Sequence, residues 1–144
     1  MATEIVRCPA CGQRNRVPAV ASGTPTCGNC HGPLPWVASA SDGDFAEVAE
    51  QSPVPVVVDL WAPWCAPCRT VGPALDRVAT DLAGAVKLVK VNVDESPTLT
   101  ARFGVQAVPT LLVLKNGQVV ARQAGAAPAA ALRTWVDGAL NKTS

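Results

Sequence analysis

Val56-Val57-Val58-Asp59-Leu60-Trp61-Ala62-Pro63-Trp64-Cys65-Ala66-Pro67-Cys68-Arg69 is the stretch that decides the fold. Its opening residues are apolar except for Asp59, the pattern of a strand covered on both faces. The spacing predicts this strand over Val54–Trp61, interrupted only by Pro55 and Asp59. Beyond Trp64 the period changes. Val71, Leu75, Val78, Ala79 and Leu82 recur at helical spacing, so Cys65–Leu82 reads as a helix, bent at Pro73 and stopped by Gly84. A strand that feeds a helix here sets Cys65 at the helix N-terminus. Unpaired N–H groups and the positive end of the helix dipole stabilise a thiolate there. The thiolate is the nucleophile of disulfide exchange, and two thiols at this spacing can close and reopen a disulfide.

Working outward, Trp36–Ala40 reads as a first strand and Asp44–Glu50 as a helix start, with Asp44 and Glu47 at capping-box spacing. Val86–Val93 is the next strand and Ser96–Phe103 a short helix. Thr110–Leu114 and Val119–Gln123 are strands joined through Lys115-Asn116-Gly117-Gln118, where Asn-Gly signals a tight hairpin. Pro128 opens a last helix whose apolar stripe is Leu132, Trp135, Val136, Ala139 and Leu140. The order β-α-β-α-β-α-β-β-α predicts an α/β domain: a mixed central sheet flanked by helices, with antiparallel pairing at its end.

The chain has 144 residues, 49% of them hydrophobic, and a formal net charge of +1. That is enough for a domain with a core. The charge balance argues against a nucleic-acid or membrane surface, and Arg7, Arg14 and Arg16 are too few to form a basic stripe. Met1–Gln13 lacks the apolar run of a signal peptide and no stretch is long enough to span a bilayer, so a cytoplasmic location is expected. The six cysteines form three Cys-x-x-Cys pairs: Cys8/Cys11, Cys27/Cys30 and Cys65/Cys68. In a chain without an export signal such pairs point to metal or redox chemistry.

The first two pairs lie in a segment rich in Pro, Gly and polar residues that has little periodic apolar pattern and ends at the connector Gly32-Pro33-Leu34-Pro35. Two domains are therefore expected: a metal-binding segment and connector over 1–35 and the α/β domain over 36–144. Fifteen residues separate the pairs, giving Cys-x₂-Cys-x₁₅-Cys-x₂-Cys, the spacing of a four-thiolate zinc site at Cys8, Cys11, Cys27 and Cys30. Gly12 and Gly28 would free the two turns. Four protein ligands leave no open position, so the role is structural. Disulfides, an iron centre or haem attachment at Cys27-Gly28-Asn29-Cys30-His31 are the alternatives, and His31 is read as a turn residue rather than a ligand.

Trp61-Ala62-Pro63-Trp64-Cys65-Ala66-Pro67-Cys68, with Asp59 before it and Val108-Pro109-Thr110 after it, resembles the thioredoxin family from about Trp36 to about Leu140. The upstream cysteine pairs make the chain similar to the zinc-binding thioredoxin 2 subfamily of bacteria. The resemblance implies a thioredoxin fold with a small zinc-ribbon-like segment. It also implies a thiol–disulfide oxidoreductase that reduces disulfide-containing proteins, is recharged by an NADPH-linked flavoprotein thioredoxin reductase and carries no organic cofactor. Cys65 would attack and Cys68 would resolve the mixed disulfide. Asp59 would lie behind the thiols and exchange the proton of Cys68, with Lys90 modulating its charge; otherwise Asp59 is a strand-end or capping carboxylate and Lys90 a solvated lysine. Pro109 would be cis, or else an ordinary trans proline opening a strand. Trp64, Ala66, Pro67, Val108, Pro109, Gly125 and Ala126 would form an exposed substrate-binding rim around Cys65. Trp61 would pack beneath it. Ala66 stands where the family usually has Gly, which bears on the reduction potential. A monomer is expected, because redox partners must reach Cys65. The competing function is a redox- or zinc-responsive sensor, in which oxidation of the four-cysteine site would release metal.

Overall fold

The computed structural model describes residues 3–141; the ends of the expected segments at 1–2 and 142–144 lie outside them. Among the described residues, seven strands and three α-helices follow in the order β1 (Thr3–Arg7), β2 (Arg14–Pro18), β3 (Trp36–Ala40), β4 (Val56–Trp61), α1 (Ala66–Asp81), β5 (Lys87–Asn92), α2 (Pro97–Arg102), β6 (Thr110–Lys115), β7 (Gln118–Ala124) and α3 (Ala129–Leu140).

The central sheet has the order β3-β5-β4-β6-β7. β3, β5 and β4 run parallel, while β6 is antiparallel to β4 and β7 antiparallel to β6. β4 is the middle strand, with both faces of the sheet covered, and all but its last residue is buried. One face of the sheet packs on α1 and α3 through Val71, Leu75, Val78, Leu132 and Val136. The other packs on Phe45, Val48 and Leu99. The mixed sheet between helices is the architecture expected from the pattern.

Three local departures have plain causes. The helix expected at Asp44–Glu50 is a π-helical turn over Ala46–Glu50, and the Asp44/Glu47 box is not made. The chain turns three residues earlier: the Asp44 and Phe45 N–H groups donate to Ser41 O, and Asp44 Oδ1 accepts from the Ser41 N–H at 2.8 Å. Asp44 therefore lies inside the first turn and reaches back to Ser41, the second half of a capping box moved upstream. The second short helix is preceded by a 3₁₀ turn, Val93–Glu95, and begins at Pro97. Its first N–H groups, on Thr98 and Leu99, donate to the carboxylate of Asp42 from across the chain. Helix α1 continues through Pro73, with Cys65 as its N-cap and Leu82 as its C-cap.

The N-terminal segment holds more regular structure than its composition suggests. β1 and β2 form an antiparallel ribbon, Thr3↔Pro18 to Arg7↔Arg14. Its inner face contributes Val17 to a small cluster with Cys8, Cys27, Leu34 and Trp36. Two polar ties fasten the ribbon's exit to the sheet. Trp36 Nε1 donates to Pro18 O at 2.9 Å. The buried ammonium of Lys87 donates to Ala19 O and, at 2.6 Å, to Val48 O, and lies 4.1 Å from the Trp36 ring centroid. Burial pushes the Lys87 pKa down to about 8.

Candidate functional site

Strand β4 ends at Trp61 and a four-residue turn delivers Cys65 to the start of α1. Cys65 and Cys68 are joined as a disulfide with Cα atoms 5.3 Å apart. Cys65 Sγ accepts the Cys68 N–H at 3.1 Å, so the sulfur itself caps the helix. That contact favours a negatively charged sulfur once the bond is reduced. Cys65 also lies 3.6 Å from Val108 O. Cys65 itself is buried in the disulfide, 4% exposed. The bonded sulfur turns inward against Ala62 and Cys68, with Trp61 and Val108 packed beside them. The rim is formed instead by its neighbours Pro63, Ala66 and Pro67, all exposed, and by Trp64, at 68%.

The Val108–Pro109 peptide is cis. Gly125 donates its N–H to Pro109 O at 2.9 Å with φ at +91°, a conformation that suits glycine. Of the expected rim residues, Val108 meets Cys65, and Pro109 and Gly125 are brought together next to it by the β6–β7 pairing, Thr110↔Ala124; Ala126 follows Gly125 in the chain and is exposed. Trp64 Nε1 donates to the Asp94 carboxylate at 3.1 Å, which steadies the exposed ring. Sequence reasoning missed Asp94, for it lies thirty positions from Trp64 and no periodicity links them.

Behind Cys68 lies a cavity of about 450 Å³ bordered by Asp59, Trp61, Arg69, Pro73, Asp76 and Lys90. Asp59 is 2% exposed, and its Oδ1 has no hydrogen-bond partner among the described residues. Burial pushes its pKa up to about 6; Lys90 opposes the rise and Asp76 adds to it. Asp59 and Lys90 are register partners on β4 and β5. Lys90, however, spends its direct contact elsewhere: Nζ lies 2.9 Å from Asp76 Oδ1. Asp76 was also missed. Its signal was available, because Arg69, Pro73 and Asp76 make a stripe at helical spacing leading away from Cys68.

The ribbon carries a second constellation. The Sγ atoms of Cys8, Cys11, Cys27 and Cys30 all lie within 4.8 Å of one another, and the Cys8–Cys30 and Cys11–Cys27 pairs are each at 3.6 Å. These separations exceed a disulfide bond and match the edge of a tetrahedron with metal–sulfur bonds of about 2.3 Å. The two knuckles have the same backbone. Cys8 N–H donates to Gln13 O and Gly12 N–H to Cys8 O; Cys27 N–H donates to Gly32 O and His31 N–H to Cys27 O. Gly12 and His31 hold the equivalent left-handed position, φ +80° and +63°. The expectation that Gly28 frees the second turn is therefore corrected: His31 takes that conformation and is exposed. The Cys30 backbone N–H, followed by Asn29 N–H and the Asn15 side chain, draws the Cys27 pKa down to about 6. Four clustered sulfurs with N–H donors aimed at them suit a thiophilic metal ion.

The thioredoxin family profile matches residues 36–138, leaving the ribbon outside the match. Among curated proteins the chain is similar to a thioredoxin of Haemophilus influenzae, 48% identical over 97 residues, covering 67% of this chain and 91% of that protein. It is also similar to thioredoxin 1 of Synechococcus elongatus, 42% identical over 100 residues with 69% and 94% covered. The thioredoxin of Porphyra purpurea is 39% identical over 106 residues, with 74% and 95% covered.

Proposed function

The chain belongs to the thioredoxin family and is a thiol–disulfide oxidoreductase of that kind, and from this premise we propose that it reduces protein disulfides with Cys65 as nucleophile and Cys68 as resolving thiol. The observation that carries the assignment is the Cys68 N–H aimed at Cys65 Sγ at the mouth of α1. A free thiol ionises near pKa ~8.5, and a helix N-terminus of this type brings it toward neutrality.

The reduced Cys65 thiolate attacks one sulfur of a substrate disulfide. The substrate's S–S bond breaks, a mixed disulfide forms, and the displaced substrate sulfur leaves as a thiolate. Asp59, behind Cys68, accepts the Cys68 proton through the cavity they share. Cys68 then attacks Cys65, re-forming the internal bond and releasing the second substrate thiol. Two electrons pass from protein to substrate. Lys90 adjusts the charge of Asp59. Val108, Pro109, Gly125 and Ala126, with Trp64, Ala66 and Pro67, make the landing surface, where an extended substrate segment can pair with backbone as an added strand.

The partners are disulfide-bearing proteins and an NADPH-linked flavoprotein thioredoxin reductase. The chain works as a cytoplasmic monomer, a reading supported by the open rim at Trp64; no helix among the described residues is long and apolar enough to cross a membrane. The domains run over 1–35 and 36–144. Cys8, Cys11, Cys27 and Cys30 hold zinc in a structural site, as in the zinc-binding thioredoxin 2 type, and the ion's part is to staple the ribbon. Reduction of insulin disulfides by the full chain tests the redox assignment. Turnover should fall at least a hundredfold in Cys65→Ser, and wild-type turnover in that variant would remove the nucleophile.

A further inference from the structure

The Lys90–Asp76 ion pair changes what surrounds Asp59. Viewed from Asp59 on β4, strand β5 presents Lys90 and strand β6 presents the uncharged Leu111. Helix α1 borders the cavity with Cys68, Arg69 and Asp76. The Arg69 guanidinium is engaged at the rim, where Nη2 donates to Pro63 O at 3.2 Å, and the charges acting on Asp59 are those of Lys90 and Asp76. On its other side Lys90 borders a second pocket with Asp44 and Glu95. Both of those carboxylates have local partners, Asp44 at the Ser41 N–H and Glu95 at Asn92 Nδ2. Lys90 is therefore the cation that Asp59 faces, and Asp76 is the carboxylate that holds it.

We propose that Asp76 is a positioning residue for the exchange reaction: by holding the Lys90 ammonium at the cavity's edge it limits the help Lys90 gives to an ionised Asp59, and so sets the pH at which Asp59 takes the proton of Cys68. The geometry supplies the cause. Asp76 Oδ1 is 2.9 Å from Nζ, and the Asp76 side chain is half exposed while that of Lys90 is largely covered. The contact fixes where a flexible lysine keeps its charge, and Asp76 adds a second negative charge to the same cavity. Both effects make ionisation of Asp59 harder. During resolution the Cys68 S–H bond breaks, its proton goes to the Asp59 carboxylate, and the sulfur's electron pair forms the new bond to Cys65 as the Cys65–substrate bond breaks. A base that ionised too readily would be too weak to take that proton, and one that stayed protonated would not take it at all.

This rests on the Cys65/Cys68 reading, and the test keeps the two apart. The Asp59 carboxyl is titrated by carbon NMR in the oxidised full chain, which needs no turnover, beside the pH profile of single-turnover mixed-disulfide release. Asp76→Asn should move the Asp59 midpoint toward acid by on the order of half a pH unit, with the release profile following it. Asp76→Glu should restore both. In a Lys90→Met background the same Asp76→Asn change should move the midpoint distinctly less, because the effect runs largely through Lys90. An unmoved Asp59 midpoint in Asp76→Asn, with insulin reduction intact in the wild type, overturns the role of Asp76 alone. Absence of insulin reduction in the wild type overturns the redox reading instead.

Discussion

Asp59 shows how one side chain is shaped by opposing demands. A carboxyl placed in the middle strand of a sheet gives up water, and its Oδ1 finds no protein donor among the described residues. Its pKa of about 6 is the consequence of that burial. The native state holds this proton up to about pH 6, whereas an unfolded chain releases it near its ordinary value of 3.8. Between these limits the native state binds more protons, so stability falls as pH rises through the window and is then level. The decline attributable to Asp59 is about 3 kcal/mol, given a shift from 3.8 to about 6. Urea unfolding of the oxidised chain at pH 3.5 and pH 7.5, compared with Asp59→Asn, should show the variant gaining by about that amount at the higher pH. Parallel pH dependences in the two proteins would mean that Asp59 titrates normally. The identity of this residue was legible from its place in an apolar run. Of its environment, Lys90 was expected through the family resemblance alone, and the Lys90–Asp76 ion pair was not legible because its two partners come from separate elements.

At the scale of elements, strong local chemistry was easy to read and weak local chemistry was not. The Asn116-Gly117 turn between β6 and β7 was evident from two residues. Both adopt left-handed conformations, φ +52° and +78°. A Cβ on Gly117 would also lie 3.3 Å from Glu50 O, a backbone atom that cannot swing aside. Gly117→Ala should therefore destabilise the protein by about 1–2 kcal/mol through the left-handed backbone alone. Thermal unfolding reads this directly, and an unchanged midpoint would show that the turn relaxes to another geometry. The disulfide helix was legible for the same reason: a long apolar period and a thiol pair marked its start. The β1–β2 ribbon was not. Only Val17 is buried among the ten residues of its strands, so no apolar alternation announces them. Beside these strands stand the four-cysteine cluster and the tie to Trp36, and neither is local to the strands.

At the scale of the molecule, the ribbon and the redox domain are held together by unequal means. The ribbon's own apolar cluster is small, and a segment of this size does not fold on burial alone. On the proposed metal site, binding at the four thiolates would supply the difference, on the order of 10 kcal/mol at neutral pH. The tie to the domain is the buried Trp36 with its bond to Pro18 O, and Lys87 reaching Ala19 O. The disulfide at Cys65 lies in a separate side-chain cluster from the four-cysteine site. Removing the metal should accordingly unfold the ribbon and leave the sheet and α1 in place. Arg14 and Arg16, exposed on a paired strand, then become tryptic sites. With a strong chelator, cleavage after these arginines should accelerate more than tenfold. Loss of the packing around Val17, about 2–3 kcal/mol, should lower the melting midpoint by roughly 10 °C. Insulin reduction should persist, because neither Cys65 nor the Val108–Pro109 loop depends on the ribbon for its position. Equal cleavage rates with and without chelator would show that β1 and β2 stand without the metal. Loss of reductase activity on chelation would instead show that the two sites are coupled through Trp36 and Lys87, which join the ribbon to strands β3 and β5 of the same sheet that carries Asp59.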